Sequence, residues 1–263
     1  MFPLRDNIPL SRVPVVTISI IAINVVAYLL EIRHGGSFFG GPTEQTAVRW
    51  GAIPYELTHS GDHCELITHM LPGGTASTVA CQGQAGVTGT PAPQPATWIT
   101  AFTAMFLHGG FLHIFGNMLF LAVFGPNVED AMTRPRYAVF YLLGGIVALG
   151  AQVAAGPNST VPTLGASGAI AAVLGGYILL YPRARVITLI FIIFFFTIVE
   201  LPAFVLLGVW FVLDGIAGAV SSTGTEGVAY FAHIGGFLFG LAAIRAFAKR
   251  RPPRGGQAAP GLA

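Results

Sequence analysis

Six long apolar runs constrain this chain more than any other feature of its sequence. An α-helix needs about 20 predominantly apolar residues to cross the hydrocarbon core of a bilayer. The runs cover residues 14–31, 110–126, 136–155, 167–181, 203–220 and 228–247. Hydrophobic residues make up 54% of the sequence and charged residues 9%, whereas about 25% of an average globular chain is charged. The sequence therefore predicts an all-α membrane protein with six transmembrane helices, surrounded by a lipid bilayer.

The segments between the runs define the domain organisation. We expect one membrane domain over residues 1–248, because no polar stretch is long enough to build a second soluble core. Residues 249–263 are expected to be a disordered tail, and residues 32–97 form a large loop after the first helix. A further apolar stretch, residues 186–199, is bounded by YPRAR and ELP. It is predicted to be an interfacial or extended connector rather than a seventh span.

The positive charges predict the orientation of the chain, because Lys and Arg near the ends of spans remain on the cytoplasmic side. With six helices and both termini inside, eleven of the thirteen Lys and Arg residues are cytoplasmic, and only Arg33 and Arg49 are outside. The loop of residues 32–97 then faces outward. Cys64 and Cys81 both lie in this loop. They form a disulfide if the compartment is oxidising, and two unpaired thiols are the alternative.

Polar side chains at the apolar runs are the candidates for function, because a polar group inside a membrane is costly to keep. His113 and Asn117 are four residues apart and therefore share one face of the second helix. Ser167 begins the fourth helix, and His233 lies in the second turn of the sixth. With the predicted orientation all four lie at one depth, within about 10 Å of the outer surface at 1.5 Å of rise per residue.

These residue types at one depth predict hydrolysis by a serine nucleophile. Histidine titrates near neutral pH and suits the removal of a serine proton, which assigns Ser167 as nucleophile and His233 as base. His113, Asn117 and the backbone N–H of Ser167 are the predicted donors to a developing oxyanion. This chemistry requires no metal or organic cofactor. Glycines are predicted to admit the substrate backbone and to let the fourth and sixth helices meet. They are Gly165, Gly168, Gly236 and Gly240.

Three segments, HGGFLHIFGNM, GASGA and AHIGGFLFG, occur in an order that resembles the rhomboid intramembrane serine proteases. The resemblance extends over residues 100–245, nearly the whole six-helix body. It implies a dyad of the same serine and histidine without a third acid, an oxyanion site at His113 and Asn117, and a place for His108 in the roof of the site. It also implies single-pass membrane proteins as substrates, cut near the outer surface. The expected location is a bacterial inner membrane, with the site open to the extracytoplasmic side.

One departure from the rhomboid pattern concerns the base. Many relatives carry a tyrosine one turn after the serine, and its ring stacks on the base histidine, but Ala171 stands there in this sequence. Tyr177 or Phe231 is then expected to orient His233. The fifth helix and the loop of residues 221–229, rich in Ser, Gly and Thr, are predicted gates for the substrate.

Other classes of function have less support in the residues. A catalytically inactive rhomboid-like protein, which binds or escorts membrane clients, normally lacks the serine or the histidine, and both are present. A zinc site in the outer loop would use His59, His63, Cys64 and His69, but no HExxH pattern occurs.

An aspartyl protease needs two intramembrane aspartates; Asp214 is alone and is interpreted as a polar cap near the outer end of the fifth helix. A transporter would show internal repeats, and no basic patch predicts nucleic acid as a partner.

Overall fold

The computed structural model describes residues 1–71, 74–84, 87, 94–192, 195–220 and 229–249. The helices in this part of the chain are α1 (Val15–Arg33), α2 (Glu44–Trp50), α3 (Pro54–Thr58), α4 (Thr97–Thr103), α5 (Phe111–Asp130), α6 (Arg134–Ala155), α7 (Ser167–Leu180), α8 (Ala203–Val220) and α9 (Tyr230–Phe247). A 3₁₀ turn over Ala104–Phe106 extends α4. The predicted tail, apart from Lys249, lies outside the described residues, as does most of the predicted gate loop of residues 221–229.

All six apolar runs are helical, and their ends lie within four residues of the predicted ones. Within the described part of the chain, α1, α5, α6 and α9 are long and apolar enough to cross a membrane. The helix α7 has 14 residues, and residues 203–216 of α8 also form a shorter apolar helix. Four candidate spans are therefore present, and the count of six remains a prediction.

The helix α7 lies at the centre of the bundle, and its residues 168–177 are all buried. Glycines let α9 approach it closely. A Cβ added at Gly236 would overlap the carbonyl oxygen of Gly168, and one added at Gly240 would overlap the carbonyl oxygen of Ala172. Without side chains at these positions the two backbones pack directly against each other, as small residues permit in membrane helices.

Strands correct the expectation of an all-α chain. A three-stranded antiparallel sheet has the order β1 (Phe2–Asp6), β4 (Arg185–Ile192) and β5 (Phe195–Pro202). The strands β4 and β5 form a hairpin over the apolar stretch 186–199, so the predicted extended connector is confirmed. The stretch is rich in Ile, Val, Phe and Thr, which favour strands, and Pro182 and Pro202 bound it.

The loop between α1 and α4 contains structure of its own. It includes α2, α3 and the hairpin of β2 (Cys64–Leu71) and β3 (Gly74–Cys81), whose ends are joined by a disulfide between Cys64 and Cys81. Both cysteines pack with Val48, Ile53 and Tyr55 in a small core separate from the bundle. These residues are spread over more than thirty positions of the sequence, so the prediction of a loop did not include this core.

Polar contacts at the C-terminal end of α5 attach the start of the chain to the bundle. The carboxylate of Asp6, at the end of β1, accepts hydrogen bonds from Asn127 Nδ2 at 2.7 Å and from the hydroxyl of Tyr177. The buried carboxylate of Glu129 accepts from the backbone N–H and the hydroxyl of Thr17, both at 2.8 Å. These contacts fix β1 and α1 against α5 and α7.

Candidate active site

Ser167 is held at the first residue of α7 by the unusual backbone before it. Gly165 has φ of +116°, a conformation that side chains rarely adopt. Its N–H donates to the carbonyl oxygen of Ala104 at 2.8 Å, which fixes the turn against the 3₁₀ segment. A Cβ at this glycine would lie 2.8 Å from the imidazole of His113. The turn therefore presents the serine beside α5 and leaves no room for a side chain in between.

Ser167 and His233 form a hydrogen bond across the contact of α7 and α9. The serine Oγ lies 2.8 Å from His233 Nε2. The contact depends on the close packing described above, because Gly168 follows Ser167, and Gly236, three residues after His233, lies directly against the backbone of Gly168. The structure thus brings together the nucleophile and base candidates, which are 66 residues apart in the chain.

His113 and Asn117 lie on the face of α5 that turns toward Ser167. The backbone N–H of Gly109 donates to His113 Nδ1 at 3.3 Å, which leaves the Nε2 of a neutral ring as the donor. The side-chain nitrogen of Asn117 is buried and has no hydrogen-bond partner among the described residues. A Cβ at Gly165 would lie 2.8 Å from His113 Nε2 and 3.6 Å from Asn117 Nδ2. Two donors therefore converge on the approach to the serine.

One cavity joins these groups. It has a volume of about 430 Å³ and is lined by Ser167, His233, His113 and Asn117. Most of its remaining lining is apolar, including Phe120, Ile170, Leu174 and Trp210. A mostly apolar cavity of this size, with a few convergent polar groups, is typical of a binding site.

His108 does not line this cavity but lies next to His113, which does. Its side chain is fully buried, its ring centroid is 5.2 Å from that of His113, and its Nδ1 lies 3.3 Å from the carbonyl oxygen of Phe106. Its Nε2 has no partner among the described residues. The position in the roof that the resemblance implied stays a prediction, and in the structure His108 contacts His113.

Sequence reasoning missed the residues that contact the base. Asp214, in α8, lies with its two carboxylate oxygens 2.9 and 3.1 Å from His233 Nδ1, so its interpretation as a polar cap was wrong. Trp210, one turn earlier on α8, has its ring centroid 5.8 Å from that of the histidine. The hydroxyl of Tyr177 donates to Asp6 at the far end of α7, and no ring contact joins Phe231 to the histidine among the described residues. The spacing of Trp210 and Asp214, four residues on one helix, was the available signal.

The histidines between α1 and α4 were candidates for a metal centre. Among the residues that the structure describes, no three His, Cys, Asp or Glu side chains are placed to share a metal ion. Cys64 is in the disulfide and cannot be a ligand. His59 stacks on Tyr55 with ring centroids 3.9 Å apart, and His69 Nε2 lies 3.0 Å from Thr78 Oγ1.

The fold and the cavity define a membrane protein with a serine and a histidine paired inside its helical bundle. The sequence model of the Rhomboid domain matches residues 95–250, more than half of the chain, and the chain belongs to the rhomboid family. It is similar to the rhomboid-type serine protease 2 of Emericella nidulans, with 32% identity over 158 residues. That alignment covers 57% of this chain and 27% of the fungal protein, so the chain spans little more than a quarter of that relative. Family membership and the apolar helices identify an integral membrane protein.

Proposed function

We propose that the chain is an intramembrane serine endopeptidase, which hydrolyses peptide bonds in or near the transmembrane segments of other membrane proteins. The observation that carries the proposal is the 2.8 Å separation of Ser167 Oγ and His233 Nε2. This pair lines a cavity in a member of the rhomboid family, and the similar fungal protein is named as a serine protease. No cofactor takes part in the proposed reaction.

The reaction proceeds in two steps. Ser167 Oγ attacks the carbonyl carbon of the scissile bond while its proton passes to His233 Nε2. The histidine then gives this proton to the leaving amine, which completes an acyl-enzyme on the serine. A water molecule, deprotonated by the same nitrogen, then attacks the acyl carbon; the bond to Ser167 Oγ breaks, the histidine returns the proton to this oxygen, and the carboxylic acid product leaves.

Donors on α5 stabilise the oxyanion of both steps. His113 Nε2 and Asn117 Nδ2 converge on Gly165, and the backbone N–H of Ser167 at the start of α7 adds a third donor with a favourable helix dipole. These donors are held by helices before the substrate arrives, so they need no reorganisation as charge develops.

Single-pass membrane proteins are the proposed substrates. The apolar walls of the cavity suit an apolar or small side chain next to the scissile bond, and α8 is the proposed gate because it forms one wall through Trp210. The distribution of Lys and Arg supports both termini in the cytoplasm and a site that opens to the extracytoplasmic side. We propose a bacterial inner membrane as the location.

Labelling of the purified chain by a fluorophosphonate probe tests this function. We expect wild-type protein to be labelled, and Ser167→Ala or His233→Ala to lose labelling by about 10⁴-fold or more, because each removes an essential member of the pair. Ser19→Ala, at an exposed serine of α1, is the matched control and should label normally. Absence of labelling in folded wild-type protein would contradict the proposal. It would instead favour a catalytically inactive rhomboid-like protein that binds membrane clients.

A further inference from the structure

We propose that Asp214 is a positioning residue for His233, so that Ser167, His233 and Asp214 act together as a three-residue array. The inference rests on the proposed function, because it concerns how the base of that reaction is held. It also answers the question raised by Ala171, which supplies no ring to orient the base histidine.

The contacts on the two ring nitrogens select one tautomer of His233. An ionised carboxylate can only accept hydrogen bonds, so Asp214, 2.9 and 3.1 Å from Nδ1, requires a proton on that nitrogen. The Nε2 atom then carries a lone pair, which accepts a hydrogen bond from the hydroxyl of Ser167 at 2.8 Å. When the serine proton passes to Nε2, the imidazolium that forms faces the carboxylate, which stabilises it.

The array is enclosed by the protein. The side chains of His233 and Asp214 are only 12% and 11% exposed. Trp210, on the same face of α8 as Asp214, packs beside the imidazole with ring centroids 5.8 Å apart and ring planes tilted by 40°. A charge-assisted contact shielded from water in this way is stronger and more directional than an exposed one, so it can hold the ring against rotation.

The competing explanation is a fastening role, in which Asp214 stabilises the contact of α8 with α9 but does not orient the imidazole of His233. These helices also meet through Phe211 and Phe237, whose rings stack with centroids 4.5 Å apart, so their contact does not depend on the carboxylate alone. A fastening role predicts lower stability with an unchanged rate at Ser167. A positioning role predicts a lower rate with little change in stability.

The test uses the full chain in detergent micelles and a soluble fluorophosphonate probe. The maximal labelling rate, the probe concentration at half-saturation and the thermal unfolding midpoint are measured for wild type, Asp214→Asn, Asp214→Glu and the control Leu213→Ala. We expect Asp214→Asn to lower the maximal rate by up to about 10⁴-fold, the loss that the same isosteric change causes in a Ser-His-Asp triad. The half-saturating concentration and the unfolding midpoint should remain near those of wild type, and the longer carboxylate of Asp214→Glu should recover part of the rate.

Two results would overturn the inference. One is a maximal rate in Asp214→Asn within about threefold of wild type, and the other is a rate loss that the carboxylate of Asp214→Glu does not reduce at all. Should Asp214→Asn fail to fold, the maximal labelling rate of Asp214→Glu alone tests the inference. A fastening role would leave that rate equal to the wild-type rate, whereas a positioning role would lower it. Ser167→Ala and His233→Ala are measured in parallel. If these two variants also label normally, the proposed function itself is contradicted. If they do not label while Asp214→Asn labels normally, only the proposed role of Asp214 is contradicted.

Discussion

At the scale of single residues, Asn117 carries an unusual combination of burial and unused hydrogen-bonding capacity. Its side chain is 8% exposed, and its amide nitrogen has no partner among the described residues. A buried donor without a partner is destabilising. Such a group is expected where a later acceptor, here the oxyanion of the proposed reaction, satisfies it.

Replacement of Asn117 should therefore separate activity from stability. We expect Asn117→Ala to reduce proteolytic turnover by about 10²-fold, the effect of removing one oxyanion donor. The unfolding midpoint should not fall through a lost hydrogen bond, because the amide nitrogen makes none among the described residues. Turnover of a fluorogenic membrane-embedded peptide and thermal unfolding are the measurements. Asn158→Ala, at an exposed turn, is the control, and an unchanged turnover in Asn117→Ala would remove this residue from the oxyanion site.

The sequence predicted those site residues whose positions follow from helical periodicity. His113 and Asn117 share a face because they are four residues apart, and Ser167 meets His233 because glycines let α7 and α9 pack closely. Asp214 was not predicted to meet the base. Its four-residue spacing from Trp210 places both on one face of α8, but the spacing alone does not determine that this face turns toward α9.

At the scale of secondary-structure elements, the contact of α7 and α9 depends on the absence of particular Cβ atoms. Gly240 adjoins the backbone of α7, whereas Gly208 in α8 has nothing within 4 Å of an added Cβ. The same substitution at these two glycines therefore has opposite expected effects.

We expect Gly240→Ala to lower the stability of the protein by about 1–3 kcal/mol, because an overpacked contact must shift. The shift also moves His233 away from Ser167, so fluorophosphonate labelling should slow. Gly208→Ala should be neutral or stabilising by up to about 1 kcal/mol, because alanine favours a helix more than glycine does. Thermal unfolding of both variants under identical detergent conditions checks the pair, and equal midpoints would contradict the packing described for Gly240.

The strands illustrate what periodicity could not predict. The stretch 186–199 was predicted as extended because its flanks exclude a seventh span, but β1 gave no such signal. Only five residues form β1, and they pair with residues far away in the sequence, Phe2 with Leu189 and Asp6 with Val186. Such a short strand is specified by its partner and by the contacts of Asp6 rather than by its own composition.

At the scale of the whole molecule, we expect stability to depend on pH through Glu56, which lies in the small core between α1 and α4. This side chain is 3% exposed, and its Oε1 accepts from the backbone N–H of Cys64 at 2.6 Å. Burial raises the pKa of the Glu56 carboxyl above its ordinary value of 4.5, although the hydrogen bond from Cys64 and the charge of His63 oppose this shift. The folded state therefore binds a proton at a higher pH than the unfolded state does.

The sign of the effect follows from this raised pKa. The stability that protonation of Glu56 contributes is complete below pH 4.5 and is lost as the pH rises through the higher pKa of the folded state. Glu56→Gln keeps an acceptor for Cys64 but cannot ionise. We expect it to raise the unfolding midpoint at pH 8 and to leave it unchanged at pH 4. Glu65→Gln, at a partly exposed position on β2, should behave like wild type at both pH values, and a lower midpoint for Glu56→Gln at pH 8 would refute the prediction.

The pairing of β1 with β4 also bears on how the chain is assembled during synthesis. Residues 2–6 are made roughly 180 residues before Arg185–Ile192, which complete their ladder. At a synthesis rate of about 5–20 residues per second, β1 is made on the order of 10–40 s before its partner strand. In that interval the helices between them, including α1, α5, α6 and α7, are made, and the ladder can form only if β4 reaches the end of the bundle at which β1 lies. If these helices cross the bilayer, a chain with one of them inserted in the wrong direction would not close the sheet.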